Sequence, residues 1–375
     1  MKISKTIDRL AAGRHVSRRE INAAMAGLGL ATVAMPLTGN KARAATDVVE
    51  YFTWSGYEVP ELHPSFTAKY GEGHVAGSFF GGEEEALSKL RTGFNADVAH
   101  PCSYNVRRWA DAGVIAPIDT SRLSNWPDVF PQLQNLGDGS IDGQNYFVPF
   151  DWGSSSVLYR TDLVDPEYVA QETWAIVYDE RYAGRLTMYD TDVIITIAAM
   201  IKGWDNLSTL SDEQLAELRP DLEKMNANMR FYWTDATEVT QALASGEIVA
   251  GYAWNGMMGE LIDQGVPIGY MNPKEGQLTW VCGLTRDPRG EADEQMVYDF
   301  IDAMISPEAG VFQIEVYNYG HSNKLAFADV SPEILQRMGM SDVQAVFDSG
   351  LFIPSSPPEF EQKYLQLADE IKAGF

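Results

Sequence analysis

Cysteine is nearly absent: Cys102 and Cys282 are the only two in 375 residues. There is no Cys-x-x-Cys, which removes sulfur-ligated metal centres and thioredoxin-like redox chemistry from consideration. One pair is no disulfide scaffold for a chain this long, though an oxidising compartment would permit a bond. Histidine is scarce too, at five residues. His63, His74, His100 and His321 lie in the body of the chain, and none forms a His-x-x-x-His metal pair. No G-x-S-x-G elbow appears, since Trp152-Gly153-Ser154-Ser155-Ser156 lacks the second glycine. No phosphate-cradling Walker loop or strand-borne G-x-G-x-x-G is present. No stretch after the first 45 residues approaches the ~18 unbroken apolar residues that a spanning helix needs. Base is scarce relative to acid, with 28 Lys and Arg against 53 Asp and Glu and a net charge of −25. A chain so acidic repels nucleic acid and anionic lipid, so neither is an expected partner.

What the chain does have begins with an address. Ser17-Arg18-Arg19 precedes an apolar, Ala/Gly-rich run from Ile21 to Leu37, and Ala42-Arg43-Ala44 supplies a small-x-small pattern. Charge, apolar core and cleavage site in that order predict an export signal of the twin-arginine type, cleaved near Ala44/Ala45. Gly27, Gly29 and Pro36 break the run, so it is a poor membrane anchor. Residues 1–45 hold eight of the 28 basic residues and two of the 53 acidic ones, which leaves the rest with 20 against 51, a net charge of −31. The expected product is an exported protein, periplasmic and monomeric.

The next stretch, Val48–Pro60, begins as a strand and ends as a loop carrying Trp54 and Tyr57. In open α/β sheets ligands bind beyond the carboxyl ends of the strands, so rings placed there are candidate walls; core packing is the competing assignment. The same strand-to-ring junction recurs at Ser103-Tyr104, at Asp151-Trp152 and at Trp254-Asn255. Between these junctions the pattern predicts strands at 74–80, 96–99, 145–150, 157–159, 185–188, 247–253, 267–270 and 278–284. Helices are predicted at 62–70, 83–91, 106–113, 191–201, 210–225, 237–245, 293–305, 307–317, 332–338 and 358–373. This alternation argues for largely parallel sheets. Length allows two domains of about 150 residues each, and no flexible linker separates them, so the chain is expected to cross between lobes several times. Glu83-Glu84-Glu85 opens a helix, where carboxylates favour the dipole; capping is the expected role, and it disfavours an anionic ligand there.

Taken in order, Tyr51-Phe52-Thr53-Trp54-Ser55, Pro101-Cys102-Ser103-Tyr104, Val148-Pro149-Phe150-Asp151-Trp152-Gly153, Gly246-Glu247-Ile248, Trp254-Asn255-Gly256 and Pro273-Lys274-Glu275-Gly276 resemble the spermidine/putrescine-binding group of ABC-importer solute-binding proteins. The resemblance runs from about Val48 to Gly374. It implies a two-lobed periplasmic-binding-protein fold of type II, each lobe a mixed sheet flanked by helices. The implied division is 46–153 plus 280–327 for lobe 1 and 154–279 plus 328–375 for lobe 2. It further implies hinge closure on a small ligand and docking on a membrane permease. No cofactor, metal or catalytic residue is implied.

By the same resemblance, Trp54 and Tyr104 line the first lobe, Trp254 lines the second, Trp280 and Tyr319 lie near the crossover, Trp152 sits on it and Tyr57 at the rim. Ser55, Ser103, Asp151 and Cys282 complete the expected ligand-binding set. The acids that the group uses are mostly replaced: Gly56, Thr191, Ile194 and Cys282 stand at their places. Asp151, Asp190 and Asp192 are possible substitutes. Because a buried ammonium without an anion is strongly disfavoured, a methylated or quaternary amine ranks slightly above a polyamine, and a zwitterion stays open. Cys102 and Cys282 are expected unpaired, as a small apolar wall. The alternative outside transport is an exported enzyme on the same scaffold, with His321 beside Ser322 as its base. A ferric-ion binder is disfavoured because Tyr317 and Tyr319 are not adjacent.

Overall fold

A computed structural model describes residues 45–374 apart from Gly339, Ser341 and Gly350; residues 1–44, the bulk of the expected export signal, lie outside the described residues. The strands in chain order are β1 (Val49–Thr53), β2 (Val75–Phe79), β3 (Val98–Ala99), the small pair β4 (Ser140–Ile141) and β5 (Gln144–Asn145), β6 (Val148–Arg160), β7 (Leu186–Tyr189), β8 (Met229–Trp233), β9 (Ala250–Trp254), β10 (Ile268–Tyr270), β11 (Leu278–Arg286), β12 (Gly320–His321) and β13 (Leu351–Phe352). Among the described residues the main sheet runs β2-β1-β3-β11-β6-β9-β7-β8, with β10 and β12 also on β6 and β13 on β11.

Two hydrophobic cores organise this sheet. The first gathers Val49, Tyr51 and Phe52 of β1 with Leu87 and Leu90 of the helix Glu83–Arg91 and Phe300 and Ile301 of the helix Glu294–Met304. The second gathers Ile194, Ile195 and Ile197 of the helix Val193–Ile201 with Leu218 and Leu222 of the helix Asp212–Asn228. Strand β6 passes from one to the other: Val148, Phe150 and Trp152 belong to the first core, Val157, Leu158 and Tyr159 to the second. Antiparallel to it, β11 returns, with Leu278 in the second core and Val281 and Leu284 in the first. After β13 the chain goes back once more, and the helix Pro358–Ala373 buries Tyr364, Leu367, Ala368 and Ile371 in the second core.

The sheet is mixed rather than largely parallel. β1 pairs β2 and β3 in parallel, and β7 pairs β8 and β9 in parallel, as helical crossovers require. The crossover strand β6 is antiparallel to β9, β10, β11 and β12. It also runs unbroken through Asp151–Ser154, where the sequence suggested a strand end. β8 and the helix Val343–Ser349 were not expected, although Phe231-Tyr232-Trp233 is β-prone.

Candidate functional site

A third, small cluster sits where the lobes meet. Cys102, Trp280 and Cys282 form its buried centre, and Trp54, Tyr104, Trp254, Tyr319 and Ile353 pack against it. Each ring arrives from a strand or its flank: Trp54 follows β1, Tyr104 follows β3, Trp254 ends β9 and Tyr319 precedes β12. Trp280 and Cys282 point the same way because they are two apart on β11. Trp280 lies against β6 at Gly153, where a Cβ would collide with its ring and with Asn255 Oδ1. It also meets Tyr319 edge-on at 5.0 Å. Trp254 meets Trp233 edge-on at 4.9 Å and Tyr189 at 5.5 Å. Trp54 is aimed by its indole N–H, which donates to the His100 carbonyl at 3.1 Å.

The two cysteines are joined, not free: Cys102 and Cys282 form a disulfide across a β-bridge. The loop after β3 and the crossover strand β11 are brought alongside by tertiary pairing, which their sequence separation could not reveal.

Other expected contacts lie behind or outside this cluster. Asp151 is 1% exposed and faces inward; it accepts from Tyr57 Oη at 2.7 Å and from His100 Nε2 at 3.0 Å. With Nε2 donating, His100 Nδ1 accepts from the hydroxyls of Tyr51 at 3.1 Å and Thr53 at 3.0 Å. Trp152 points to the opposite face of β6 from Asp151, stacks on Phe327 and donates to the His321 carbonyl at 2.9 Å, so it is first-lobe core and no part of the cluster. Ser103 is buried and Ser55 exposed. Asn255, a possible donor to a ligand carboxylate, is consumed: it accepts from Ser154 N at 3.0 Å and donates to the Asn318 carbonyl at 2.8 Å. The Trp280 indole N–H has no hydrogen-bond partner among the described residues, although the ring is only 8% exposed.

His321 does not suit a base. Its Nδ1 accepts from Asn323 N at 3.1 Å, Nε2 faces the Met304 carbonyl at 3.0 Å, and the side chain is fully buried. Burial pushes its pKa down to about 4.

Beside the cluster, and sharing Trp54, Tyr104 and Ile353 with it, opens a cavity of about 720 Å³. Tyr189 and Tyr252 extend its aromatic wall. Of the carboxylates that border it, two have no Lys or Arg partner among the described residues and sit at helix starts: Glu83, at the start of the first-lobe helix Glu83–Arg91, and Asp192, the N-cap residue of the second-lobe helix Val193–Ile201. Glu83 does not cap its own helix. It reaches sideways to accept from Cys102 N at 2.6 Å and Asn105 Nδ2 at 2.7 Å. Burial is the main cause that raises its pKa to about 7, and burial likewise raises that of Asp192 to about 6. Arg108 also borders the cavity and ties the lobes, pairing with Glu84 of the first and with Glu361 of the C-terminal helix at 2.7 Å. Glu83 corrects the expectation of a capping role: only its contact with a loop 19 residues away distinguishes it from an ordinary helix-start acid.

With this geometry in view, comparison with known proteins is informative. The family model described as bacterial extracellular solute-binding protein matches residues 65–336. The spermidine/putrescine-binding periplasmic protein of Salmonella typhimurium is 26% identical over 309 residues, covering 81% of this chain and 86% of that one. Among solved structures, the spermidine/putrescine substrate-binding protein PotD of Streptococcus pneumoniae aligns with a TM-score of 0.72 at 20% identity, over 88% of this chain and 99% of that chain. MotA of A. tumefaciens, solved with glucopine, aligns with a TM-score of 0.68 at 14% identity, over 87% and 99%. The fold is accordingly the two-lobed α/β binding-protein fold.

Proposed function

The chain belongs to the family of bacterial extracellular solute-binding proteins, and from that premise we propose that it captures a small organic amine between its lobes and delivers it to the permease of an ABC importer. One observation carries the reading: rings from both lobes and from the crossover strand gather around a single disulfide beside an open cavity. Such rings attract a cation by ~0.5–2 kcal/mol each. The relatives named for spermidine and putrescine support amine chemistry. Trp54, Tyr104, Trp254, Trp280 and Tyr319 are the ligand walls in this reading, with Ser103 and the disulfide sulfur of Cys282 between them. Tyr57 and Asp151 act from behind, by fixing His100 and through it Trp54.

The protein works as a monomer, exported by its twin-arginine leader and cut near Ala44/Ala45. The disulfide accords with an oxidising compartment outside the cytoplasm. Lobe 1 is residues 46–153 and 280–352; lobe 2 is 154–279 and 353–375. The packing of Met340 and Phe347 in the first core supports counting residues 328–352 with the first lobe in this reading, where the sequence resemblance implies the second. A zwitterionic guest is the second reading, favoured by Arg107 on the cavity wall; chemical turnover is not part of either.

A thermal-shift screen of the mature chain against polyamines, quaternary amines and amino acids tests the reading. An amine is expected to raise the melting temperature and to be recovered unaltered. Trp54→Ala and Trp254→Ala are each expected to weaken that ligand about tenfold or more while leaving the unliganded protein folded. An undiminished ligand response in both variants would remove these rings from the site, and conversion of the ligand to product would remove the binding-protein reading altogether.

A further inference from the structure

Glu83 and Asp192 border one cavity, come from different lobes, and have no Lys or Arg paired with them among the described residues. The cation whose charge acts on Asp192 is Lys372, and its ammonium is already held by Asp190 at 2.8 Å and Asp369 at 3.2 Å. The two arginines of the cavity do not serve them either: Arg108 is engaged by Glu84 and Glu361, and Arg107 is exposed. Both residues are half-buried, and the hydrogen bonds that Glu83 accepts from Cys102 N and Asn105 Nδ2 come from neutral donors, so each carboxylate is drawn from water without a counter-charge and gains from a cation that joins it. The adjoining ring cluster, which shares Trp54 and Tyr104 with the cavity, points to a guest as well: its buried Trp280 N–H has no partner among the described residues.

We propose that Glu83 and Asp192 set the selectivity of this site, their carboxylates accepting hydrogen bonds from charged N–H groups of the ligand, one from each lobe. The proposal rests on the amine-binding reading. It reverses the ranking of guests that the sequence suggested: a quaternary ammonium has no N–H to offer these oxygens, whereas a primary or secondary ammonium satisfies both its own protons and the acids. It also explains how the site manages with Gly56, Thr191, Ile194 and Cys282 at the positions where the resembled group keeps its acids. The acids have moved to two helix starts that open on the same space.

Capture is then pH-dependent. A cation needs the ionised carboxylates, and burial holds both acids partly protonated near neutrality, so affinity rises with pH between about 5.5 and 8. The groups facing Glu83 are Glu84, Tyr104 and Tyr189; those facing Asp192 are Glu84, Lys372, Tyr252, Glu361 and Tyr364. Asp111, Asp190, Arg107 and Arg108 complete the charges on the wall.

Isothermal titration of the mature protein, Glu83→Gln and Asp192→Asn with putrescine and with choline, at pH 5.5, 6.5 and 8, tests this. Circular dichroism melts establish that both variants are folded. Putrescine is expected to bind the parent more tightly than choline does, and each variant to lose about ten- to a hundredfold in putrescine affinity at pH 8. Glu83→Gln is also expected to flatten the pH dependence, an effect that a purely structural role would not produce. Putrescine binding unchanged in both variants, or choline binding tighter than putrescine to the parent, overturns the proposal and leaves the amine reading standing. Failure of the parent to bind either amine overturns both.

Discussion

Asp151→Ala is expected to destabilise the first lobe by about 2–5 kcal/mol, because it strands a buried donor, His100, and a half-buried one, Tyr57, at once. The carboxylate is 1% exposed and takes one hydrogen bond from Tyr57 and one from His100, whose ring then holds the hydroxyls of Tyr51 and Thr53 on β1. With the acid gone, the His100 Nε2–H and the Tyr57 hydroxyl have no acceptor at that face, and the phenol loses the anchor that fixes the loop after β1. Urea unfolding at constant pH measures the loss as a lower midpoint with an unchanged slope. Asp151→Asn keeps one acceptor oxygen of the same shape and is expected to lose less. Ligand affinity falls in parallel, since Trp54 hangs from the His100 carbonyl. A change below about 1 kcal/mol in Asp151→Ala would mean that the network is not the internal brace described here.

How much of this was readable beforehand depends on whether a signal was local. The helix Glu83–Arg91 coincides with its expected span, and the strand ends that deliver Trp54, Tyr104 and Trp254 fall within a residue or two of where the pattern put them. Local periodicity and turn residues were enough for those. Read locally, Asp151-Trp152-Gly153 looks like a strand end, which puts Trp152 on the ligand wall. Once β6 is seen to continue, period-two alternation puts Trp152 on the side of buried Phe150, away from Asp151 and Gly153. That correction was available from the sequence in principle. The role of Asp151 was not, because its partners come from loops 51 and 94 residues away. Glu83 fails in the same way: its helix-start position carries an ordinary explanation, and only the tertiary approach of Cys102 and Asn105 gives it another. The mixed sheet, too, follows from β6 and β11 pairing antiparallel across the lobe junction, a register that no short window of sequence contains.

The disulfide offers the second large effect. Cys102 and Cys282 close a loop of 180 residues, and cross-links over long loops restrict the unfolded chain most. In the chain-entropy model a loop of that size is worth more than the typical ~2–4 kcal/mol, although native disulfides usually deliver the typical figure. Removing both sulfurs in Cys102→Ser/Cys282→Ser is therefore expected to lower stability by about 2–4 kcal/mol and the melting temperature by roughly 5–15 °C. Position makes the loss functional as well as global, because the bond pins the loop carrying Tyr104 to the strand carrying Trp280 at the centre of the ring cluster. Without it those two walls are held only by packing, so the ligand-induced stabilisation should shrink together with the baseline. Thermal melts with and without reductant, on the parent and the double-serine variant, separate the two contributions. The parent should fall toward the variant when reduced, and the variant should ignore the reductant. Melting temperatures that agree within about 1 °C across all four samples would show that the link stabilises nothing, and the rings would then owe their arrangement to the two crossover strands alone.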